Sequence, residues 1–182
     1  ILVHAAAGGV GRIACQWAAH LGATVIGTVG SAEKAAIAAA HGCTHTILYR
    51  EQDIAEQVGE ITGGRGVPVV YDSVGKDTID ASLASLAPRG LLVSFGQSSG
   101  SPPPLDLQRL SRGGSLFVTR PTLATYIAAR DEYLEGAGEL FDVLGSGAVR
   151  VGIGATYPLS ETARAHRDLE ARKTSGSTVL LP

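Results

Sequence analysis

The sequence predicts an α/β protein built on a doubly wound, six-stranded parallel sheet. Short apolar runs without polar alternation recur along the chain, which is typical of strands covered on both faces. Segments with apolar residues at helical spacing separate these runs. A glycine-rich turn follows the first run at once. Because strands and helices alternate, right-handed crossovers would produce a parallel sheet with helices on both faces.

The opening stretch, ILVHAAAGGVGRIACQWAAHL, is predicted to form a strand, a glycine turn and a helix. The strand covers residues 1–7, and from Val10 apolar residues recur every four positions. Read as A-x-G-x-x-G through Ala6, Gly8 and Gly11, the turn departs from the dinucleotide-binding fingerprint at its first position. The strand and the helix around it supply the context that such a fingerprint needs. Because helix N-terminal N–H groups favour a pyrophosphate, we expect a dinucleotide site here.

The following elements keep the same βα rhythm, with Ser31 and Asp53 as predicted N-caps. One helix is predicted to carry Ile79, Leu83 and Leu86 on one face and to end at residues 88–90. The other predicted strands are 23–29, 44–49, 67–71, 91–95 and 115–119, and the other predicted helices are 32–41, 53–62, 105–110 and 121–144.

The rhythm stops after residues 145–147, where glycines end the long helix. A strand at 149–157, a helix at 160–173 and a strand at 177–181 are predicted beyond that break. We therefore predict a dinucleotide-binding domain over residues 1–147 and a segment, 148–182, that returns into a neighbouring domain. The chain also opens on a buried strand and contains no methionine, so we expect it to be a fragment of a longer protein.

Composition narrows the range of partners. A net charge of -2 does not indicate binding to nucleic acid or to an acidic membrane surface. No apolar run in the sequence reaches the length of a membrane span. With no signal-like start, a cytoplasmic location is expected. The five histidines are scattered, and Cys15 and Cys43 are far apart in sequence without ligand-like spacing. We expect neither a metal site nor a disulfide.

The end of the second strand indicates which dinucleotide would bind. NAD-binding domains carry an acidic residue there for the ribose hydroxyls, whereas this chain has Gly30 and Ser31. Lys34 falls in the first turn of the next helix, where its charge opposes the helix dipole unless a 2′-phosphate lies beside it. This favours NADP over NAD, although Glu33 leaves a ribose contact open. Tyr49, at the end of the third strand, either covers an adenine or caps the core.

Six segments along the chain form recognisable motifs: HAAAGGVG at 4–11, GTVGSAEK at 27–34, VVYDSVG at 69–75, VSFGQSSG at 93–100, SLFVTRPTL at 115–123 and AHRDLEARKTSGSTVLLP at 165–182. In this order they closely resemble the zeta-crystallin-like quinone oxidoreductases, a zinc-independent branch of the medium-chain dehydrogenase/reductase superfamily. The resemblance runs through the whole chain without an evident gap.

The resemblance implies a Rossmann-type cofactor domain inserted into a GroES-like catalytic domain that is mostly absent from this chain. It also implies NADPH-dependent reduction of quinones and other activated carbonyl or alkene acceptors. The cofactor-binding residues that it implies are Gly8, Gly9, Val10 and Gly11 for the pyrophosphate; Gly30, Ser31, Lys34, Tyr49 and Arg172 for the 2′-phosphate; Ser73, Val74, Phe95 and Gly96 along the path to the nicotinamide; and Thr119 and Arg120 near its far end.

Two alternatives remain open: an enoyl reductase of fatty-acid or polyketide type, and a crystallin-like protein that binds NADPH without useful turnover. A methyltransferase is disfavoured because it would need an acid where Gly30 and Ser31 stand. The nicotinamide itself carries the hydride, so we assign no catalytic residue. Ser73 and Tyr126 are the two candidates for a hydroxyl donor, but ordinary hydrogen bonding is favoured for both. We expect the fragment to bind cofactor without turning over substrate, and the apolar strand 115–119 to pair with its twin in a homodimer.

Overall fold

A computed structural model describes residues 1–171 and 173–182, and its main sheet has six parallel strands. These are β1 (Leu2–Val3), β2 (Ile26–Val29), β3 (His45–Leu48), β4 (Val67–Asp72), β5 (Leu86–Ser94) and β6 (Phe117–Thr119). Their order in the sheet is β3-β2-β1-β4-β5-β6. Successive strands are therefore added on one side of β1 up to β3 and on its other side from β4 onward. The predicted doubly wound sheet of two three-stranded halves is confirmed.

Helices connect the strands, and the two predicted N-caps are confirmed. The Ser31 hydroxyl accepts a hydrogen bond from the Lys34 N–H at 3.3 Å, and the Asp53 carboxylate accepts one from the Glu56 N–H at 2.9 Å. Each cap satisfies a donor that has no partner inside the helix. The helices are α1 (Gly9–His20), α2 (Ala32–Ala40), α3 (Ile54–Thr62), α4 (Ile79–Ala84), α5 (Leu107–Arg112), α6 (Leu123–Tyr126) and α7 (Arg130–Gly145).

Two predicted helices differ from the structure. The helix predicted to include Leu86 ends at Ala84, and Leu86 instead begins β5, where it pairs with Val67 and is buried in the core. Strand pairing therefore decides the conformation of Leu86 and overrides its helical spacing. The helix predicted over 121–144 is divided between α6 and α7. Ala129 has an extended backbone, and Asp131 and Glu132 follow it in the first turn of α7, where acidic side chains stabilise a new helix start.

The core lies on both faces of the sheet. Leu2 and Val3 are adjacent in β1 and point to opposite faces, so each joins a different cluster of buried side chains. Leu2 packs with residues such as Val70 and Leu92, while Val3 packs with Val25 and others. Burying one such side chain stabilises the fold by about 1.5–3 kcal/mol. This two-sided burial accounts for the apolar runs in the sequence.

The two cysteines are close in space although they are 28 residues apart in sequence. Their sulfur atoms lie 3.5 Å from each other, and both are buried free thiols. A Cβ atom added at Gly27 would lie 2.6 Å from the Cys43 sulfur, so this glycine provides the space that Cys43 occupies. The expectation that the cysteines are far apart therefore holds for the sequence and is wrong for the fold.

The C-terminal residues form a separate two-stranded parallel sheet. Its strands are β7 (Ile153–Pro158) and β8 (Ser177–Leu181), joined by a 3₁₀ turn (Leu159–Glu161) and by α8 (Thr162–Glu170). The last strand matches its prediction, whereas β7 begins four residues later than predicted and α8 ends before residue 173. Among the described residues, no helix combines the length and apolar character needed to cross a membrane.

A buried polar network connects the central strands. The Asp72 carboxylate, at the end of β4, is fully buried and accepts hydrogen bonds from the hydroxyls of Thr78 at 2.8 Å and Ser82 at 2.7 Å. The Ser82 hydroxyl also lies 3.0 Å from His4 Nε2, and His4 Nδ1 lies 3.0 Å from the hydroxyl of Thr28 in β2. Because an ionised carboxylate only accepts, Ser82 donates to Asp72 and accepts from the N–H at His4 Nε2, which leaves Nδ1 to accept from Thr28.

We predict that Asp72→Asn lowers the free energy of unfolding by about 2–4 kcal/mol. The reason is that the NH₂ group of the asparagine would face N–H and hydroxyl groups that themselves donate hydrogen bonds to residue 72. Urea denaturation at pH 7.5 measures the loss. Asp80→Asn is the control, since Asp80 is exposed and its ion pair with Arg109 contributes less than about 1 kcal/mol. Equal losses in the two variants would contradict the prediction.

A second prediction concerns pH. Burial lowers the pKa of His4, although the charge of Asp72 opposes this shift. Below about pH 6.5 the unfolded chain therefore binds a proton that the folded chain does not, and stability falls by up to about 1.4 kcal/mol per pH unit. Urea midpoints at pH 7.5, 6.5 and 5.5 should show this decrease in the wild type and in His166→Gln, which alters an exposed histidine. A decrease of the same size in His4→Gln would refute the assignment.

Candidate functional site

The glycine turn places a helix N-terminus at the carboxyl edge of the central strand. After β1 the chain turns sharply, and the Gly8 N–H donates to the Ala5 carbonyl at 2.9 Å. Gly8 is the N-cap of α1, and the first helical hydrogen bond runs from the Arg12 N–H to the Gly8 carbonyl at 2.9 Å. Because the first amides of an α-helix have no acceptor inside the helix, this end of α1 presents main-chain donors to a ligand.

Close packing explains why Gly11 is a glycine, whereas at Gly9 a side chain would meet only ordinary contacts. A Cβ atom at Gly11 would lie 2.8 Å from the Cα atom of Ala6 and would overlap the Ala5 carbonyl, so only glycine lets α1 pack against the turn. A Cβ atom at Gly9 would lie 3.6 Å from the carbonyl of Gly176 in the C-terminal segment. The Val10 side chain is exposed, so at this residue the chain offers a ligand its backbone.

Of the residues predicted to bind a 2′-phosphate, Gly30, Ser31 and Tyr49 directly follow β2 and β3, and Lys34 lies in the first turn of α2. Gly30 and Lys34 line a common cavity with Tyr49. A Cβ atom at Gly30 would lie 2.7 Å from the Tyr49 hydroxyl, so the phenol occupies the space that an acidic side chain would need at residue 30. Ser31 caps α2 beside them. Tyr49 also packs against the core, as one of its two interpretations expected, while a contact with an adenine stays a prediction.

The exits of β4 and β5 are packed against each other. The Asp72 carbonyl accepts hydrogen bonds from the N–H groups of Phe95 at 2.9 Å and Gly96 at 3.3 Å. A Cβ atom at Gly96 would lie 2.7 Å from the Cα atom of Ser73, so here too the backbones are in contact. The Asp72 carboxylate accepts the Val74 N–H at 2.8 Å and fixes the loop that faces the ligand side.

These elements enclose a crevice of about 650 Å³ at the carboxyl edge of the sheet. It brings together five predicted site residues from four separate segments: Gly8, Gly30, Lys34, Tyr49 and Val74. Arg172 lies outside the described residues. Seven other predicted residues are within three positions of a lining residue in the sequence: Gly9, Val10, Gly11, Ser31, Ser73, Phe95 and Gly96.

Eleven lining residues and one buried support of the crevice were not predicted from the sequence. The buried support is Asp72, whose carboxylate accepts the N–H groups of Val74 and Gly75, and an aspartate at a strand end followed by Ser-Val-Gly is a local signal for such a side chain. The wall formed by the C-terminal segment had no such local signal. The additional lining residues are Ala5, Ala7, Thr28, Val29, Ile54, Asp77, Thr78, Ser98, Leu169, Glu170 and Thr174.

Thr119 and Arg120 lie in a second cavity of about 980 Å³, beside α6 and α7. The Arg120 guanidinium donates to the carbonyls of Ser94 at 2.9 Å and Gly96 at 2.8 Å, so it braces the end of β5. Tyr126 lines the same cavity and is largely exposed. The structure therefore separates these residues from the crevice that contains Lys34 and Tyr49.

The crevice combines main-chain donors, the cation of Lys34 and apolar or aromatic walls such as Val29 and Tyr49. This combination suits a ligand that carries both phosphate groups and a flat ring. Within residues 1–171 and 173–182, no three side chains of the histidine, cysteine or acidic types converge as metal ligands would.

Comparison with known proteins gives extensive similarity. The family of zinc-binding dehydrogenases matches residues 9–141. Quinone oxidoreductase from Pseudomonas aeruginosa is 54% identical over 182 residues, which cover 100% of this chain and 56% of that protein. A 2-haloacrylate reductase from a Burkholderia species is 52% identical over 183 residues, covering 100% of this chain and 55% of that protein. The crystal structure of Escherichia coli quinone oxidoreductase complexed with NADPH has a TM-score of 0.95 at 53% identity, covering 100% of this chain and 56% of that chain.

The chain thus spans little more than half the length of the curated relatives that it matches. Within that span the sequence similarity is continuous, because the quinone oxidoreductase from Pseudomonas aeruginosa and the 2-haloacrylate reductase each align with the whole chain, from β1 to β8. The zinc-binding dehydrogenase match also covers more than half of the chain. The chain therefore belongs to the zinc-binding dehydrogenase family, in the quinone oxidoreductase branch of the medium-chain dehydrogenase/reductase superfamily.

Proposed function

We propose that this chain is the NADPH-binding part of an oxidoreductase that reduces quinones or other activated carbonyl or alkene acceptors. The observation that carries this proposal is the crevice, where the glycine turn, Lys34 and Tyr49 meet at the carboxyl edge of the sheet. A relative that is 53% identical binds NADPH in its crystal structure, which supports the same cofactor here. The chain covers only part of such proteins, so turnover belongs to the complete protein.

The described residues fit NADPH by charge and by shape. The N–H groups that open α1 hold the pyrophosphate, and the absence of a side chain at Gly11 lets α1 pack against the turn that presents them. Lys34 and the cap residue Ser31 meet the 2′-phosphate, beside the Tyr49 ring that covers Gly30. The proposed contacts are Gly8, Gly9, Val10 and Gly11; Gly30, Ser31, Lys34, Tyr49 and Arg172; Ser73, Val74, Phe95 and Gly96; and Thr119 and Arg120 towards the nicotinamide end.

NADPH, when bound, supplies the hydride, so the protein's task is to align it with an acceptor and to keep water away. The loops that follow β4 and β5 pack together and form a rigid wall for the cofactor. Asp72 fixes the first loop through its carboxylate and the second through its carbonyl. Arg120 adds to this rigidity through its bonds to the Ser94 and Gly96 carbonyls. We assign no proton donor among these residues.

Residues 148–182 are proposed to belong to the catalytic domain that completes the active site. They form their own two-stranded sheet, and they contribute Leu169, Glu170 and Thr174 to the crevice. Nucleotide binding therefore involves both the main sheet and this segment. The acceptor is proposed to be a small molecule whose contacts lie mainly in the part of the protein that precedes this chain.

An enoyl reductase is the second candidate, and the 52% identity to a 2-haloacrylate reductase favours it because that relative's name describes reduction of an activated alkene. Turnover of quinones and of enoyl thioesters by the full-length protein would separate the two enzymes. Tight NADPH binding without reduction of either class would instead indicate a binding protein of the crystallin type.

Lys34→Ala is predicted to weaken NADPH binding by about 1.5–3 kcal/mol, because it removes a charge-assisted contact with the 2′-phosphate. NADH has no 2′-phosphate, so its affinity should change little. Fluorescence titration of the full-length protein with each cofactor measures both affinities. Arg112→Ala, which removes an exposed cation on α5, is the control and should leave both unchanged. Equal weakening of NADPH and NADH by Lys34→Ala would refute this role.

We also predict a homodimer formed through β6. This strand is an edge of the sheet, and its Phe117 and Val118 side chains are exposed, so its backbone is available to pair with a second copy. Sedimentation should show a dimer that Val118→Lys converts to monomers. Val151→Lys, at another exposed apolar position, should leave the dimer intact. A wild-type monomer would exclude this assembly.

A further inference from the structure

Arg12 is a buried cation beside the glycine turn. It lies in the first turn of α1, and only 9% of the residue is exposed. Its side chain turns back towards the start of the helix, where Nε donates to the Ala7 carbonyl at 3.0 Å. Ala7 immediately precedes Gly8, the N-cap of α1. The guanidinium therefore supports the turn from the side away from solvent.

The same guanidinium contacts the C-terminal segment. A Cβ atom at Gly176 would lie 2.6 Å from Nη1 of Arg12 and 3.0 Å from Cζ, so the guanidinium packs directly on the backbone of that glycine. The Gly176 N–H also donates to the Ala7 carbonyl at 3.3 Å. One carbonyl of the glycine turn thus accepts hydrogen bonds from Arg12 and from the residue that precedes β8.

Gln16, one helical turn beyond Arg12, makes a second connection to the same segment. Its amide oxygen accepts the Arg150 N–H at 3.0 Å, and its amide nitrogen donates to the Arg150 carbonyl at 3.1 Å. The same nitrogen donates to the Arg12 carbonyl at 2.9 Å. The helix that begins at the glycine turn therefore holds the C-terminal segment at two points, one turn apart.

The charge of Arg12 is not balanced by a carboxylate within ion-pair distance in the part of the chain that the structure describes. Removing a guanidinium from water is costly unless an anion compensates it, and its field extends further in a poorly solvated interior. The nearest feature built to receive an anion is the N-terminus of α1. A phosphate there would offset the cost of burying Arg12.

We propose that Arg12 is a positioning residue that links pyrophosphate binding to docking of the C-terminal segment. It adds positive potential behind the turn, and it holds the Ala7 carbonyl, Gly8 and Gly176 in one arrangement. This inference rests on the proposed NADPH function. Neither the glycine fingerprint nor a helix N-terminus by itself requires a buried cation at this position, so Arg12 is an addition to that general mechanism.

The test compares NADPH with adenosine 2′-monophosphate, which has the 2′-phosphate and no pyrophosphate, by calorimetry on the full-length protein. Arg12→Met keeps the length of the side chain and removes its charge. We expect it to raise the Kd of NADPH about tenfold at low salt, and by less at high salt because ions screen the lost interaction. Its Kd for adenosine 2′-monophosphate should change less than about twofold. Arg65→Met, an exposed change three residues after the end of α3, should alter neither constant.

Gly176→Ala provides a second test, since it keeps the charge of Arg12, displaces the guanidinium from the segment and strains the backbone of Gly176, whose φ is +72°. It should weaken the binding of NADPH and also that of adenosine 2′-monophosphate, because the displaced segment contributes Leu169, Glu170 and Thr174 to the crevice. Circular dichroism checks that each variant is folded. The inference is overturned if Arg12→Met binds NADPH as the wild type does, or if it weakens both ligands equally. Failure of the wild type to bind NADPH at all would instead overturn the proposed function.

Discussion

The geometry of the crevice depends on one buried carboxylate. Asp72 ends β4 at the point where the order of strands reverses, and it binds the loop that follows through two backbone N–H groups. Its carbonyl holds the exit of β5, and Ser82 and His4 connect its other carboxylate oxygen to Thr28 in β2. Several strand ends around the crevice are therefore fixed by a single network that is out of contact with water.

Around this network the walls are made largely of backbone. Added Cβ atoms at Gly11, Gly30 and Gly96 would collide with the neighbouring turn, with Tyr49 and with Ser73, respectively. In the proposed NADPH site, these close approaches would let main-chain donors meet the ligand together with Lys34. Backbone donors held in this way lose little freedom on binding, which is favourable for a cofactor that must be aligned with its acceptor.

The C-terminal segment completes the crevice from outside the main sheet. Its helix α8 supplies Leu169 and Glu170 to the lining, and Arg12 and Gln16 attach the segment to α1. The helix whose N-terminus is proposed to meet the nucleotide thus also carries the contacts to the segment proposed to belong to the catalytic domain. A nucleotide in this crevice would contact both parts, so its binding favours the arrangement in which they are joined.

The sequence by itself determined the features that arise from short-range interactions. The βα rhythm, the caps at Ser31 and Asp53, the glycine turn and the missing acid at residue 30 are all readable within a few residues. Only the tertiary structure decided that Leu86 pairs as a strand, that the two cysteine sulfurs meet, that Asp72 joins several strands, and that Arg12 lies between the turn and Gly176. Each of these depends on contacts between residues far apart in the chain, where packing and burial override local preference.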